Sequence, residues 1–563
     1  MVTTTDPNAS VDQAAGRVGF AGRLLAAAQG VDVWVVGAFA CAAVLISPVI
    51  AVFFAAAGDS ADEWAHLASS VLPRYVGATL MLMVGVALIS LLFGVPSAWV
   101  VSRYRFPGRG LFSWMLLLPA AAPAYIVAYA YVDLLEFAGP VQGALREAFG
   151  WRNMRDYWFP EIRSIEGASL VMGAVLYPYV YMMARASFLA TPAAYYEVAM
   201  VSRRSLFWSV ALPIARPAIV AGLALAMMET ISDFGTVEYF AVETMTLGIF
   251  NVWLGKDNLA AAAQIAIVCF LFVIGLLAVE RIARARRRFT DARRAAPLEL
   301  EQARGWRAAV CVAVCATPIL LGFGLPVGVL ASFVLKGHSL DLGWTALAAG
   351  LNSILLAVAV TAIVLAGATF LAIVATYRGG PTLRVFSALA ASGYAFPGVV
   401  LAIGAVTISG FLNNQLAFIG AGGWLSASFG LVAIACAVRF QAVGYGAVTA
   451  GLGRISPNMF QASRTLGYGF GASIRFVILP LLSTPLLAAG LLVFVDVMKE
   501  LPMTLLLRPF NFETLPTLVY QYAKDELLEE AAAPALAIIA AGVVPVVLLN
   551  AALSRSAESR GAR

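Results

Sequence analysis

Long apolar runs alternate along this chain with short polar interruptions, and within each run the apolar residues are continuous, without a residue-to-residue alternation. Twelve runs, at about 33 to 57, 77 to 101, 111 to 133, 168 to 190, 214 to 233, 262 to 281, 308 to 335, 349 to 376, 385 to 411, 424 to 449, 481 to 500 and 529 to 553, can each cross about 30 Å of hydrocarbon as a helix. Strand barrels would alternate lipid-facing and lumen-facing positions, so they are disfavoured. The expected fold class is all-α, a polytopic membrane protein with about 12 transmembrane helices.

One interruption stands out. Met459 to Pro480 reads MFQASRTLGYGFGASIRFVILP: the helix formers Gln461, Ala462, Ser463 and Arg464, a cluster of Gly467, Gly469 and Gly471, then a second short helix expected to end before Pro480. Arg454, Arg464 and Arg475 place it at a cytoplasmic surface by the positive-inside bias. Tyr195 to Pro213, YYEVAMVSRRSLFWSVALP, is a weaker copy.

Composition agrees with the pattern: 61% of the 563 residues are hydrophobic and 12% are charged. The net charge of +6 sits between spans, where topology and inner-leaflet lipid account for it without nucleic acid. With the N-terminus inside, most of the 37 Lys and Arg residues collect on the cytoplasmic side, above all between Arg281 and Arg307, with Arg284, Arg286, Arg287, Arg288, Arg293, Arg294 and Arg304. Cys41, Cys269, Cys311, Cys315 and Cys436 all fall inside apolar runs and read as small hydrophobes, not as disulfide or zinc partners. Residues 1 to 32 are polar and mixed, with no cleavable signal peptide expected.

The two halves are repeats. Pro123 has a counterpart in Pro397, Leu212-Pro213 in Leu479-Pro480, Val242-Glu243-Thr244 in Phe512-Glu513-Thr514, and Lys256-Asp257 in Lys524-Asp525. Six spans in each half make the duplication parallel, as suits a transporter with a central path. The expected organisation is a cytoplasmic tail at 1–32, a first repeat at 33–282, a basic cytoplasmic linker at 283–307, a second repeat at 308–553 and a cytoplasmic tail at 554–563.

QASRTLG, followed by LP nineteen residues after Gln461, resembles the EAA loop of ABC importer permeases: E-A-A, three residues, G, about eleven residues, then LP. In that family the loop forms the coupling helix that docks on the ATP-binding subunit. The resemblance puts Gln461 in the glutamate position, Ser463 in the second alanine, Gly467 in the glycine and Pro480 in the proline. In the first copy it matches Glu197, Ala199 and Pro213, while Arg203 replaces the glycine and three residues are missing before Pro213. The expectation is therefore two unequal docking elements, with a bulky residue at Gly467 more harmful than a change at Arg203. PAYIVAYAYVDLLEFAGP, ETISDFGTVEYF and VDVMKELPMTLLLRPFNFETL resemble most the fused two-repeat permeases of this binding-protein-dependent, MetI-like type that import ferric iron; thiamine and phosphonate permeases share the layout.

The chain has no G-x-x-x-x-G-K-S/T phosphate loop, and the G-x-G-x-x-A of Gly467 to Ala472 has no strand before it. His66 and His338 sit in separate loops without a paired nucleophile. The protein is therefore not expected to be an enzyme or to bind a cofactor itself. The resemblance implies two ATP-binding subunits, holding ATP and magnesium, on the cytoplasmic side, a periplasmic substrate-binding protein, and residence among the lipids of the bacterial inner membrane with both termini cytoplasmic.

Carboxylates occur near the outer ends of two equivalent spans, Glu229 with Asp233 and Asp496 with Glu500. The i, i+4 spacing puts each pair on one helix face, and the cost of a charge in lipid turns that face toward protein or water. Four carboxylates could ring a path and relay a hard cation such as ferric iron in transient contacts, with no stable metal site; alternatively they form a solvated rim or pair with Lys499 and Arg508. Tyr181 and Tyr445 align between the repeats and are further path candidates; Tyr125, Tyr129, Tyr131, Tyr177 and Tyr179 are more simply interfacial or packing groups. Glu243, Lys256, Asp257, Arg508, Glu513, Lys524 and Asp525 lie in matched outer segments as candidates for docking the binding protein. An ion-coupled secondary transporter would share the hydropathy and the duplication but has no need of two such polar loops.

Overall fold

The computed structural model describes residues 32–58, 64, 67–285, 299–337, 343–417, 423 and 426–561. His66, His338, Arg286, Arg287, Arg288, Arg293, Arg294 and the tail before residue 32 lie outside the described residues. Among the described residues, twelve helices are long and apolar enough to cross a membrane. We number them α1 (Val33–Ala56), α2 (Leu67–Arg103), α3 (Ala124–Phe149, with a break after Leu135), α4 (Ile165–Ala190), α5 (Phe207–Ser232), α6 (Leu259–Ala285), α7 (Trp306–Leu335), α8 (Trp344–Tyr377), α9 (Gly398–Ala417), α10 (Phe429–Leu452), α11 (Phe470–Met498) and α12 (Leu528–Gly561). Among the described residues the only strand pairing is a two-residue parallel bridge, Tyr104–Arg105 with Glu301–Gln302. The protein is an all-α, multi-pass membrane protein.

The five cysteines are free, and four are buried. Lipid-facing surface is legible on α2 and α8, where Leu80, Met81 and Val84 on the one and Ile354, Leu355 and Val358 on the other are exposed at the same offset along the chain. In hydrocarbon such exposure carries no penalty, because lipid tails are as apolar as the side chains.

Leu-Pro occurs four times at one structural position. A five-residue π-helical turn immediately precedes Leu72-Pro73, Leu212-Pro213, Leu325-Pro326 and Leu479-Pro480. Proline has no N–H to give to the preceding turn and its ring collides with the carbonyl four residues back. Widening that turn to π spacing relieves the collision and lets the helix continue. The segment after the glycine cluster therefore does not end before Pro480: it begins at Phe470 and runs through the proline to Met498. In α7, neighbouring hydroxyls donate to the freed carbonyls. Ser97 Oγ donates to Val314 O, four residues before Pro318 (3.2 Å), and Tyr131 Oη donates to Leu321 O in the π turn (2.7 Å).

The third and ninth crossings are broken where the sequence predicts continuous runs. A short helix (Arg109–Met115) and a 3-10 turn (Leu118–Ala121) lead to Ala122, extended at φ −89°, ψ 126°, before Pro123 starts α3. In the second half Pro381–Ala390 and Gly393–Ala395 lead to Phe396, at φ −92°, ψ 136°, before Pro397 and α9. The residue before a proline is driven out of the helical region by contact with the ring, so both breaks are written into the sequence.

The first helix of each half packs on the other half as well as on the last helix of its own. α1 lies against α8, α9 and the helix Pro381–Ala390, with Phe39 edge-on to Phe386 at 5.5 Å. α7 lies against α2, α3 and α4. Its lead-in is tied down by Arg103, which is buried and reaches Glu299 O at 2.8 Å and Glu301 at 2.9 Å. Neither half encloses its own core without the other's first helix.

Repetition extends to single hydrogen bonds. Met245 N donates to Thr79 Oγ1 (3.0 Å), and Leu515 N donates to Ser353 Oγ (2.7 Å). Both amides open short helices that follow the matched Glu-Thr of each half. Thr79→Val and Ser353→Ala should each orphan a buried amide and lower stability by about 1 to 3 kcal/mol. Thermal unfolding in detergent should register the loss; an unchanged midpoint in both variants would refute it.

Candidate translocation cavity and coupling surface

A cavity of about 130 Å³ lies between the halves, just beyond the two proline breaks. Its walls bring together all four carboxylates, Glu229 and Asp233 from the end of α5 and Asp496 and Glu500 from the end of α11. They do not form a free ring. Asp233 accepts from Thr236 N (2.9 Å), Thr236 Oγ1 (3.0 Å) and Val237 N (3.3 Å), and Glu500 accepts from Met503 N (3.2 Å), Thr504 N (3.1 Å) and Thr504 Oγ1 (3.2 Å). These two equivalent residues cap the short helices Gly235–Tyr239 and Pro502–Leu507, where chain direction changes and amides need acceptors.

The other two carboxylates are held differently. Glu229 accepts a short hydrogen bond from Tyr394 Oη, which crosses from the second half. Asp496 pairs with Lys499 Nζ at 3.0 Å. Glu500, besides its capping role, pairs with Arg439 of α10 at 3.2 Å, and both side chains of that pair are buried. Gly398 admits the guanidinium: a Cβ there would lie 2.7 Å from Arg439 Nη1 and 3.2 Å from Glu500 Oε1. Arg508 does not reach these carboxylates; it pairs with Glu513.

Four carboxylates against Lys499 and Arg439 leave the cavity wall with a formal charge of −2. Both cations belong to the second half. At the repeat offsets, Arg439 corresponds to Val175 and Lys499 to Ser232, and both counterparts also line the cavity. Among the described ion pairs neither Glu229 nor Asp233 has a cation. Tyr125 Oη and Arg439 Nε are buried in the same walls without a hydrogen-bond partner among the described residues.

Tyr181 and Tyr445 do not line this cavity. Tyr181 Oη donates to Ser113 O (2.9 Å) in a separate buried cluster, and Tyr445 packs at the edge of the cluster beneath the second coupling segment. Repeat alignment identified equivalent positions, which need not face the path. The phenols that do line it are Tyr125, Tyr179 and Tyr394. Arg439 was missed by sequence reasoning although an arginine inside an apolar span is itself a functional signal.

At the opposite end of α5 and α11, the two polar loops form matching helices, Ala193–Val201 and Pro457–Thr465. Each hides one small residue, Ala199 and Ser463, and exposes Glu197 and Gln461. Tyr195, Val198, Met200 and Val201 are exposed on the first, and Met459, Leu466 and Tyr468 on or just after the second. Aromatic contacts fix their undersides: Trp99 against Tyr196 (6.2 Å), and Tyr377 stacked on Phe460 (4.3 Å).

The sequence suggests that the first loop has abandoned the glycine turn, and the structure corrects this. Arg203 adopts φ 51° where Gly467 adopts φ 88°. Ser202, Arg203 and Arg204 amides donate to Val198, Met200 and Ala199 carbonyls; Leu466, Gly467 and Tyr468 amides repeat the pattern onto Ala462, Arg464 and Ser463. The three missing residues remove only the extra turn Phe470–Ser473 ahead of the π segment.

In the outer segments, Glu243 pairs with Arg74, Arg508 with Glu513, and Lys524 approaches Glu238 at 3.7 Å. Lys256, Asp257 and Asp525 are exposed.

A left-handed backbone costs a residue with a Cβ about 1 to 2 kcal/mol. Arg203→Gly should therefore raise the thermal midpoint and leave coupled ATP hydrolysis intact. Val, whose branched Cβ tolerates the conformation least, should impair coupling at position 203 as much as at 467. Harmless Arg203→Val beside damaging Gly467→Val would restore the inequality that the sequence suggests.

No family model matches the chain. An Fe(3+)-transport system permease, FbpB 2, of Haemophilus influenzae is 23% identical over 488 residues, 84% of this chain and 88% of that protein. A probable sulfate transport system permease of Chlorokybus atmophyticus is 30% identical over 197 residues, 34% of this chain and 66% of its own length. The molybdenum transport system permease ModB of Escherichia coli K12 is 27% identical over 219 residues, 36% of this chain and 88% of its own. One relative thus matches both halves together, and others, at most of their own length, match about a third. In both halves the chain is thus similar to transport-system permeases, and ABC importer permeases are what it resembles.

Proposed function

We propose that this permease moves ferric iron into the cytoplasm by alternating access. The observation that carries the reading is the cavity between the halves, whose wall bears a formal −2 and whose donors are carboxylate and phenol oxygens. Hard, highly charged cations favour oxygen ligands, whereas a sulfate or molybdate oxyanion would meet net repulsion. The Haemophilus influenzae relative, an Fe(3+)-transport permease, supports the same reading. The ions carried by the shorter relatives favour a second reading, an oxyanion coordinated by Lys499 and Arg439.

The loops Ala193–Val201 and Pro457–Thr465 dock two ATP-binding subunits on the cytoplasmic face of the inner membrane, with both termini on that side. Their exposed apolar residues and the backbone turn the two share support this role. ATP and magnesium belong to those subunits. A periplasmic binding protein delivers the cargo to the outer segments. Closure of the ATPases moves the two halves, and the cavity opens alternately to each side.

Proteoliposomes containing the permease with its ATPase and binding-protein partners should accumulate radiolabelled ferric iron, and not sulfate, molybdate or thiamine, when ATP is enclosed. Neutralising Glu229, Asp233, Asp496 and Glu500 together should abolish iron accumulation. Iron uptake that survived their loss with transport still coupled would reject the cavity as the path, and ATP-dependent oxyanion uptake would select the second reading.

For docking, Lys256 and Asp525 are clean probes: with Asp257 they are the candidate outer charges without an ion pair among the described residues, whereas Glu243, Arg508, Glu513 and Lys524 each have one. Lys256→Glu and Asp525→Lys should weaken binding-protein-stimulated ATP hydrolysis several-fold and spare the basal rate. Equal effects on both rates would reject the docking role.

A further inference from the structure

We infer that Lys499 is a built-in stand-in for the transported cation: its ammonium holds Asp496 between transport events, and the cargo must displace it to reach Asp496 and Glu229. This rests on the reading of the cavity as a cation path.

The two basic groups of the cavity are held differently. Arg439 and Glu500 are sealed, with side chains 9% and 2% exposed, while Lys499 and Asp496 keep 28% and 22% of their side-chain surface open. Arg439 is thus a fixed part of the wall and Lys499 is free to leave it. Lys499 follows the last helical residue of α11 at φ −107°, ψ 3°, where the carbonyl end of a helix favours a cation. Glu229 and the Tyr179 phenol line the same cavity. Lys499 therefore shares one cavity wall with carboxylates of both halves.

The fold does not require a lysine at this place. Ser232 occupies the equivalent end of α5, and there Asp233 accepts amides of the following short helix as Glu500 does beside Lys499. A tethered ammonium acts as a competitor at high effective concentration. A monovalent ion offers Asp496 nothing that the ammonium does not already supply, whereas a trivalent ion does. Displacement thus gives selectivity for high valence, and the return of the ammonium promotes release.

The test uses the full permease in nanodiscs with radiolabelled ferric ion buffered by nitrilotriacetate, and the assembled transporter in proteoliposomes. Lys499→Gln should bind ferric ion about tenfold more tightly or better, since one positive charge has left a partly buried site. It should transport it more slowly, and calcium and magnesium should become inhibitors. Lys499→Arg should stay near wild type, and Ser232→Lys, adding a second ammonium, should weaken binding. Thermal midpoints establish that each variant is folded. Unchanged or weaker ferric binding in a folded Lys499→Gln, with selectivity unaltered, would overturn the inference while leaving iron import standing. If the wild type takes up no ferric ion, it is the cation reading of the cavity that fails.

Discussion

A helix can stop inside a membrane only where protein groups or a water-filled cavity receive the amides and carbonyls it leaves unpaired. That requirement governs the centre of this protein. α5 and α11 both end beside the cavity, and the short helices that follow present their first amides to Asp233 and Glu500. The acidity of the cavity is consequently in part a property of the fold: two of its four carboxylates are there because two broken helices need acceptors. Once present, they must be balanced, and Arg439 balances the one that is more deeply buried.

The duplicated halves show which features the architecture requires and which are additions. Features present in both are structural necessities: the proline breaks, the π turns before Leu-Pro, the capping carboxylates, the hydroxyl beneath each Glu-Thr helix. Features present in one are free to serve specificity. Arg439 replaces Val175, Lys499 replaces Ser232, and Tyr394 stands at the repeat offset from Ala120, so the second half has acquired most of the cavity's additional polar chemistry. The first half contributes Tyr125 and Tyr179.

Much of this was legible in the sequence. The spans follow from continuous apolar runs, and the four carboxylates from their spacing and their shared offset, because a charge in an apolar helix has few places to go. The side chains that answer them were less visible. Tyr394 approaches Glu229 across the interface between halves, a contact that no local pattern encodes. Arg439 lay in plain view inside an apolar run and marked the cavity as clearly as the acids do. Tyr181 and Tyr445 show the limit of repeat alignment, which matches position but not the direction in which a side chain points. Arg203 shows a limit of motif matching: the turn that favours glycine is held by three backbone hydrogen bonds and survives the substitution. The breaks at Ala122 and Phe396 could have been read from the prolines, since the residue before each is excluded from the helical region.

The same two helices connect the coupling loops to the cavity. α5 leaves the first loop through its π turn and arrives at Glu229; α11 leaves the second loop the same way and arrives at Asp496 and Lys499. A rigid helix transmits displacement along its axis, so movement imposed at Ala193–Val201 or Pro457–Thr465 reaches the carboxylates directly. The exchanged first helices keep this from being two independent motions. Trp34 at the start of α1 packs on Phe470 at the start of α11 (5.2 Å), and Arg378, ion-paired to Asp32, stacks over the same ring. The first half therefore has a fixed point at the base of the second half's lever. Under the proposed alternating access, a displacement of either lever would thus be passed to carboxylates of both halves.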